Sequence, residues 1–371
     1  MKNTAIVCHL TSVHPRTDAR IFLKECSSLA AYGFDVRLVT ADGLIDENIS
    51  SVKIISACKK INNRFFRMIL SSLLVLKKAL QIKAEIYHFH DPELIPAGYF
   101  LKIIGKKVIY DVHEDVPRQI YVKPWLNIFF KRIISFLFEK FENFTASKFD
   151  YIFCATEHIK NRFSEFNKNA IALFNYPLLK DAERVKSVKS NSISYIGNIS
   201  EDRGIIEILD AVSNLNVELV LAGRIVSRKL ELILIKHPGW RKVKYYGFVD
   251  KQKVKEILSR SLIGLVILHP MENHVVGMPV KMFEYMAAGI PVIASDFPLW
   301  GDIIRKYKCG LTVNPLKASD ISSAIKFLTC NKSLSIKMGN NGRKAVIREL
   351  NWKSEEKKML HVYDTIVKKY N

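Results

Sequence analysis

Lys281 and Glu284 lie three residues apart behind a loop that Gly277, Met278 and Pro279 keep from being helical. Val280 to Ala288 is rich in good helix formers, with Met282, Phe283 and Met286 spaced to bury one side. Gly289 ends that helix, Pro291 forbids its continuation, and Val292-Ile293-Ala294 reads as a strand buried on both faces. A loop feeding a helix N-terminus offers unpaired N–H groups and the positive end of a dipole, which suits a phosphate. Lys281 adds a full charge in the first turn. A plain surface ion pair of Lys281 with Glu284 would leave the breaker-rich loop unexplained, so an anion site is the stronger reading.

Other chemistry-bearing residues fall where apolar runs end, which is where open parallel sheets bind ligands. Arg16, Asp18 and Arg20 crowd the segment after the first run, where the bland alternative for Asp18 is a helix N-cap. His88 and His90, at i and i+2 on one strand, point the same way and precede Asp91 and Glu93. A metal there would need a third ligand, so these histidines read as wall residues of a site. Asp111-Val112-His113-Glu114-Asp115 closes another strand. Gly197-Asn198 leads to Arg203-Gly204, a glycine-punctuated loop whose arginine can make bidentate phosphate contacts. Gly223-Arg224 and Gly247-Phe248-Val249 mark two further strand ends, where the glycines alone would be simple turn residues.

The elements that must position these residues alternate along the whole chain. Strands are expected at 5–8, 35–40, 52–56, 86–90, 107–110, 151–155 and 170–174, with helices at 18–32, 96–104 and 157–166. A second series has strands at 192–196, 217–222, 243–246, 263–268, 291–294 and 311–313. Its helices are expected at 205–212, 251–260, 280–288, 318–330 and 334–349, with a last helix at 352–369. Such alternation specifies parallel sheets with helices on both faces. Residues 180–192 are polar and aperiodic, so they read as a linker. The expected domains are 1–179 and 193–350, followed by a terminal segment at 351–371.

Pro279-x-Lys281-x-Phe283-Glu284-Tyr285-Met286-Ala287-Ala288-Gly289-x-Pro291-Val292 resembles the donor-binding segment of family-four glycosyltransferases. These are retaining, nucleotide-sugar-dependent enzymes of GT-B architecture. The resemblance implies two facing Rossmann-like, doubly wound α/β domains, with a C-terminal helix crossing back to the first. It implies sugar transfer from a nucleotide-diphosphate sugar to a hydroxyl acceptor, with no metal and no other cofactor. Arg203 and Lys281 would meet the diphosphate, Glu284 the ribose, and His113 the donor sugar. Asn198, Gly223, Phe248, Val249, Gly277, Met278 and Pro279 would line the nucleotide site. Arg16, Asp18 and His90 would contact acceptor or sugar. The family's usual second acidic residue, eight positions before Glu284, is Val276 here.

The chain has 371 residues, of which 57 are Lys or Arg and 36 Asp or Glu, a net charge of +21. Residues 51–150 hold 17 basic and 9 acidic residues, an excess that favours anionic partners. Two basic amphipathic stretches lie there: 59–78, with Arg64, Phe65, Phe66 and Arg67, and 125–140, with Trp125, Phe129, Phe130, Lys131 and Arg132. Each could bury its apolar face on the sheet, or dock on an anionic membrane surface. No signal peptide or membrane-spanning run is visible, so the expected place is the cytoplasm, on the inner face of the plasma membrane. A lipid-linked saccharide in surface-polysaccharide assembly is the expected acceptor. The six scattered cysteines fit buried free thiols in a reducing compartment. The rival readings are a nucleotide-sugar epimerase of the same architecture and a non-catalytic basic binding protein. Nucleic acid is not expected as a partner, since no recognition module accompanies the charge.

Overall fold

The computed structural model describes residues 5–59, 61, 63, 66–121, 127–182 and 192–368. Most of the expected linker at 180–192, together with Arg64, Phe65 and Trp125, lies outside them. The chain divides into two compact units: Met1–Asn175 with Ser354–Asn371, and Tyr176–Lys353.

The first unit is built on an eight-stranded sheet. Its strands are β1 (Ile6–Leu10), β2 (Asp35–Thr40), β3 (Glu47–Ile49), β4 (Val52–Ser56), β5 (Ile86–Phe89), β6 (Lys107–Val112), β7 (Tyr151–Cys154) and β8 (Ala170–Ala172). They lie in the order β3-β4-β2-β1-β5-β6-β7-β8. All neighbours are parallel except β3 and β4, a short antiparallel pair that alternation did not foresee. The central strands are buried on both faces, as a parallel sheet requires, one face apolar and the other carrying His9 and His88. Register places His9 directly beside His88 and His88 beside Ile109. The helix from Trp352 to Lys368 sends its Tyr363 hydroxyl to His88 Nδ1 at 2.8 Å, and Asp364 accepts from Tyr32 at 2.7 Å.

The second unit carries six parallel strands: β9 (Ser192–Ile196), β10 (Glu218–Ala222), β11 (Val243–Tyr245), β12 (Ser261–Val266), β13 (Val292–Ser295) and β14 (Gly310–Val313). Their order, β11-β10-β9-β12-β13-β14, is that of a doubly wound sheet whose direction of growth reverses between β9 and β12. In the first sheet the same reversal falls between β1 and β5. One face of each sheet packs its strand side chains with the overlying helices into a main apolar core, one per unit.

Several elements depart from expectation. Helices Arg228–Lys236 and Pro298–Tyr307 were not foreseen, and the stretch before Gly277 forms a short helix, Glu272–Val275. The helix expected over 18–32 begins as a wider, π-type coil over Ile21–Cys26, which turns Lys24 and Glu25 inward. Helix Ile128–Ala146 is turned the opposite way from a core helix. Ser135, Glu142 and Thr145 are buried, while Phe129, Phe136 and Leu137 are 65%, 58% and 60% exposed. Glu142 is held inside by the Tyr110 hydroxyl at 2.9 Å and by Arg162. Of the cysteines, four are buried, Cys58 is half-buried and Cys330 exposed, and none is bridged.

Candidate active site

In the second unit the loops after β9, β10 and β11 are locked to one another. Gly197 donates to Ala222 (2.8 Å), Gly223 to Gly247 (2.7 Å), and Ile199 to Arg224 (2.9 Å). Gly223 has φ +148°, and a Cβ placed on it would lie 1.8 Å from the Gly197 carbonyl oxygen. The glycine is there because two backbones touch. Past this lock Phe248 projects into solvent, 73% exposed, with the Arg224 guanidinium 4.9 Å from its ring centre. Val249 turns back onto Val220, Ala222 and Ile257. Asn198 is exposed, and its carbonyl accepts from the Tyr195 hydroxyl at 2.8 Å.

Helix Val280–Ala288 starts at Pro279 without a side-chain cap and ends at Gly289 in the left-handed conformation. Met282, Phe283, Tyr285, Met286 and Ala287 are buried beneath it. Tyr285 fixes its direction: the hydroxyl accepts from Ile196 N (2.9 Å) and donates to the Ser194 carbonyl (3.2 Å) at the end of β9. Trp300 donates to the Gly277 carbonyl at 2.7 Å and pins the loop ahead of the helix. Met278 and Pro279 are half-buried in that loop. The loop is also stitched to the β9 side, since His269 N donates to the Asp202 carbonyl at 2.8 Å.

Lys281 is thereby brought next to Arg203. Its Nζ is buried, lies 3.8 Å from the centre of the Tyr195 ring, and has no hydrogen-bond partner among the described residues. Arg203 reaches the hydroxyl of the same tyrosine. Burial first, and Arg203 second, push the Lys281 ammonium well below the ordinary lysine range, while Glu284 opposes them. Two basic side chains converge at a helix N-terminus on the switch point of a parallel sheet. That arrangement is complementary to a diphosphate.

In the first unit the switch point holds histidines. His113 follows β6 and places Nε2 2.8 Å from Asp111 Oδ2. His14 lies on the loop after β1, with its ring centre 5.1 Å from that of His113 and its Nε2 3.3 Å from Asp91 Oδ1. Asp91 also pins the loop, accepting from the Thr11 hydroxyl (2.8 Å) and Ser12 N (2.5 Å). Against the downward pull of burial, Asp18 and Asp91 raise the His14 imidazole above its ordinary value. Behind these, His9, Glu25, His88 and His90 bring nitrogen and carboxylate atoms within 4.8 Å of one another. Three imidazoles and a carboxylate are a donor set a transition metal accepts. Here, however, His90 Nδ1 faces Asp111 at 3.1 Å, His88 Nδ1 faces the Tyr363 hydroxyl at 2.8 Å, and His9 Nδ1 faces His90 Nε2 at 3.0 Å.

Two family models account for most of the chain. "Glycosyl transferases group 1" matches residues 179–345, and "Glycosyltransferase Family 4" matches residues 19–172. The chain belongs to the family-four GT-B glycosyltransferases. Solved structures of the same architecture superpose over the full length. Sucrose-phosphate synthase from Thermosynechococcus elongatus is 16% identical, with 98% of this chain and 99% of that chain covered at a TM-score of 0.80. WaaG, a glycosyltransferase involved in lipopolysaccharide biosynthesis, is 15% identical, with 96% and 99% covered at 0.72. Anabaena HepE, solved with UDP and glucose, is 10% identical, with 97% and 99% covered at 0.72. A comparison with curated proteins gave no match.

Within this transferase, second-unit residues expected to gather do gather: Arg203 and Lys281 adjoin each other, and Glu284 is close enough to influence the lysine. First-unit expectations need correction. Arg16 is engaged within its own unit. Its guanidinium is taken up by Asp42 (2.7 Å), Glu47 (2.6 Å) and the Ile45 carbonyl (2.9 Å), which ties the loop to β3. His90 is buried and touches Asp111 and His9 instead of lining a wall. Asp18 does cap the first turn, accepting from Arg20 N (2.8 Å) and Ile21 N (3.0 Å). His14 was missed. Its one sequence signal was a histidine four residues before Asp18, in a segment already singled out.

Proposed function

We propose that the chain transfers a sugar, with retention, from a nucleotide-diphosphate sugar to a hydroxyl of a lipid-linked saccharide. The observation that carries the donor half is the buried Nζ of Lys281 beside Arg203, without a hydrogen-bond partner among the described residues. An unpaired buried charge is costly, and a diphosphate would supply the missing anion. In this reading Arg203, Lys281 and the helix N-terminus stabilise the leaving diphosphate, so no metal is needed for its charge. Glu284 binds the ribose, and Gly223, Gly277, Met278, Pro279 and Asn198 shape the nucleotide pocket. Phe248 and Val249 flank the base. His113 contacts the donor sugar, and Asp18 shapes the loop nearest the acceptor. HepE, solved with UDP and with UDP-glucose, makes uridine donors the first to try.

The test is a thermal-shift screen of nucleoside diphosphates followed by assay of the stabilising nucleotide's sugars, with and without EDTA. A bound ligand raises the unfolding temperature. Stabilisation by one nucleoside diphosphate and EDTA-insensitive transfer are expected. Epimer formation from the donor alone would replace transfer with epimerisation. Binding without turnover would leave a nucleotide-binding protein.

The acceptor half rests on the first unit's surface. Besides helix Ile128–Ala146, Phe66, Ile69 and Leu73 around helix Ser72–Ile82 are 60%, 51% and 57% exposed. Helix Ile95–Ile103 packs against both and leaves Phe100 and Ile103 exposed beside them. Arg132, Lys140 and Lys148 are exposed on or just beyond helix Ile128–Ala146, the two lysines lying over Phe136 and Phe144. Apolar rings fringed by cations fit an anionic bilayer surface. No helix of the described residues is long and apolar enough to cross a membrane.

The protein should therefore co-sediment with vesicles containing anionic lipid, less so in moderate salt. Arg132, Lys140 and Lys148 changed together to Gln should weaken binding, each cation contributing about 1 kcal/mol. Equal binding to neutral vesicles, or none to either, would refute electrostatic docking. A dimer dispersed by Phe136→Ser and Leu137→Ser would mark the face as a contact between copies.

A further inference from the structure

Asp111 is fully buried and accepts from four directions. Arg20 Nε donates to Oδ2 at 2.8 Å and Arg20 Nη2 to Oδ1 at 2.6 Å. His90 Nδ1 lies 3.1 Å and His113 Nε2 2.8 Å from Oδ2. Arg20 is itself held by the Leu173 carbonyl at 2.8 Å, and its Nε lies 3.0 Å from Glu25 Oε1. Burial and the neighbouring Asp111 charge raise Glu25 well above the usual carboxyl range, which favours its neutral form. Burial resists ionisation of Asp111 too, but Arg20 and His113 hold it ionised. His9, His88 and His90 are pushed down by burial and stay neutral. The cluster thus resolves to one guanidinium, one carboxylate and uncharged neighbours, a balance a closed interior can hold.

Among the described residues that touch Asp111, His113 is the one that reaches the outside, its side chain 18% exposed. We infer that Asp111 is a positioning residue for His113: it binds the Nε2–H, holds the ring in one tautomer, and turns Nδ1 outward as the working atom. Arg20 fixes the carboxylate, and His90 occupies its remaining side, so Asp111 cannot swing away. A histidine held this way presents a lone pair at Nδ1, ready to accept from a sugar hydroxyl without first losing orientational freedom. The inference rests on the reading of His113 as a donor-sugar contact, and it names the atom that makes the contact. In Asp111→Asn the amide keeps its carbonyl towards Arg20 and offers N–H to His113, which drives the proton to Nδ1. The same loss of the correct tautomer follows when the carboxylate behind a catalytic histidine becomes an amide.

The experiment is ring-nitrogen NMR of the full chain labelled with 15N-histidine, at a pH where His113 is neutral. His113 is assigned by the signals lost in His113→Gln. The wild type should show a single tautomer, with an observable, solvent-protected Nε2–H and an unprotonated Nδ1. Averaged nitrogens of a freely exchanging imidazole, or a proton on Nδ1, would overturn the inference. Asp111→Asn should move the proton to Nδ1 or restore averaging; an unchanged tautomer in a folded variant would also overturn it. If that variant does not fold, the wild-type spectrum decides alone. The measurement uses no donor, so absence of turnover would count against the transferase reading and leave the tautomer legible. In the active protein, turnover of the donor found by the screen should fall in Asp111→Asn through kcat far more than through KM.

Discussion

Arg203→Ala and Lys281→Ala should each reduce turnover by roughly two to three orders of magnitude, because each removes a charge aimed at the leaving diphosphate. In ground-state binding the loss should be smaller. A charge-assisted contact contributes about 1.5–3 kcal/mol, or roughly 10- to 150-fold in nucleoside diphosphate affinity. Calorimetric titration and donor turnover measure the two effects, and wild-type turnover in both variants would end the donor-clamp assignment.

Lys281 adds a pH signature. Its ammonium is depressed in the free protein, and a bound diphosphate favours the charged form. Affinity should be flat below the depressed pKa. Above it, affinity should fall about tenfold per pH unit until the bound-state pKa is reached, with proton uptake on binding. The fall should begin well below the ordinary lysine range. Folding carries the opposite sign. A lysine whose folded pKa lies below its unfolded one costs stability in full below the folded value; that cost shrinks as pH rises from the folded value and is gone only above the unfolded one. Lys281→Met should therefore make the ligand-free protein more stable at neutral pH, by about 1–2 kcal/mol, while weakening diphosphate binding as Lys281→Ala does. Contact with the Tyr195 ring keeps the gain small.

Gly223→Ala should be the most damaging single methyl that can be added near the donor loops. The new Cβ would meet the Gly197 carbonyl oxygen at 1.8 Å and its carbon at 2.6 Å, both backbone atoms of an interlocked loop. The φ of +148° adds strain for any residue with a side chain. Together these should cost about 3 kcal/mol or more in urea unfolding, and should weaken nucleotide binding by displacing the β9 and β10 loops. Gly247→Ala is the control. Its φ is +67°, but nothing lies within 4 Å of a new Cβ, so only about 1 kcal/mol of backbone strain is expected. Equal losses for the two variants would mean that the loop contact is not what Gly223 provides.

Those two glycines look alike in the sequence, each a single turn residue after an apolar strand. Which one is irreplaceable depends on a neighbouring loop 26 positions away, at Gly197. The surroundings of Arg16, and which of its two possible sides helix Ile128–Ala146 turns inward, were hidden for the same reason. The partners of Arg16, Asp42 and Glu47, are 26 and 31 residues distant. The helix shows a strong apolar stripe, yet its inward side was decided by Arg162 and Tyr110, which supply Glu142 with buried partners. Amphipathicity reveals that a helix has two faces and leaves open which one the rest of the chain will cover.

What the sequence by itself determined was local. Breakers and apolar periodicity bounded helix Val280–Ala288 at its observed ends, and placed nearly every strand within a few residues. Alternation of strand and helix specified parallel sheets, because short-range patterns of burial are written residue by residue. The donor motif likewise lay in one continuous stretch, so its lysine and glutamate could be read without the fold. The tertiary structure alone decided which distant groups would share a buried volume. It set His9 beside His88 by strand register, turned Glu25 inward on a π-type coil, and stacked Arg20, His90 and His113 around Asp111. Charge balance in a closed interior is a property of the assembled cluster, and no window along the chain contains it.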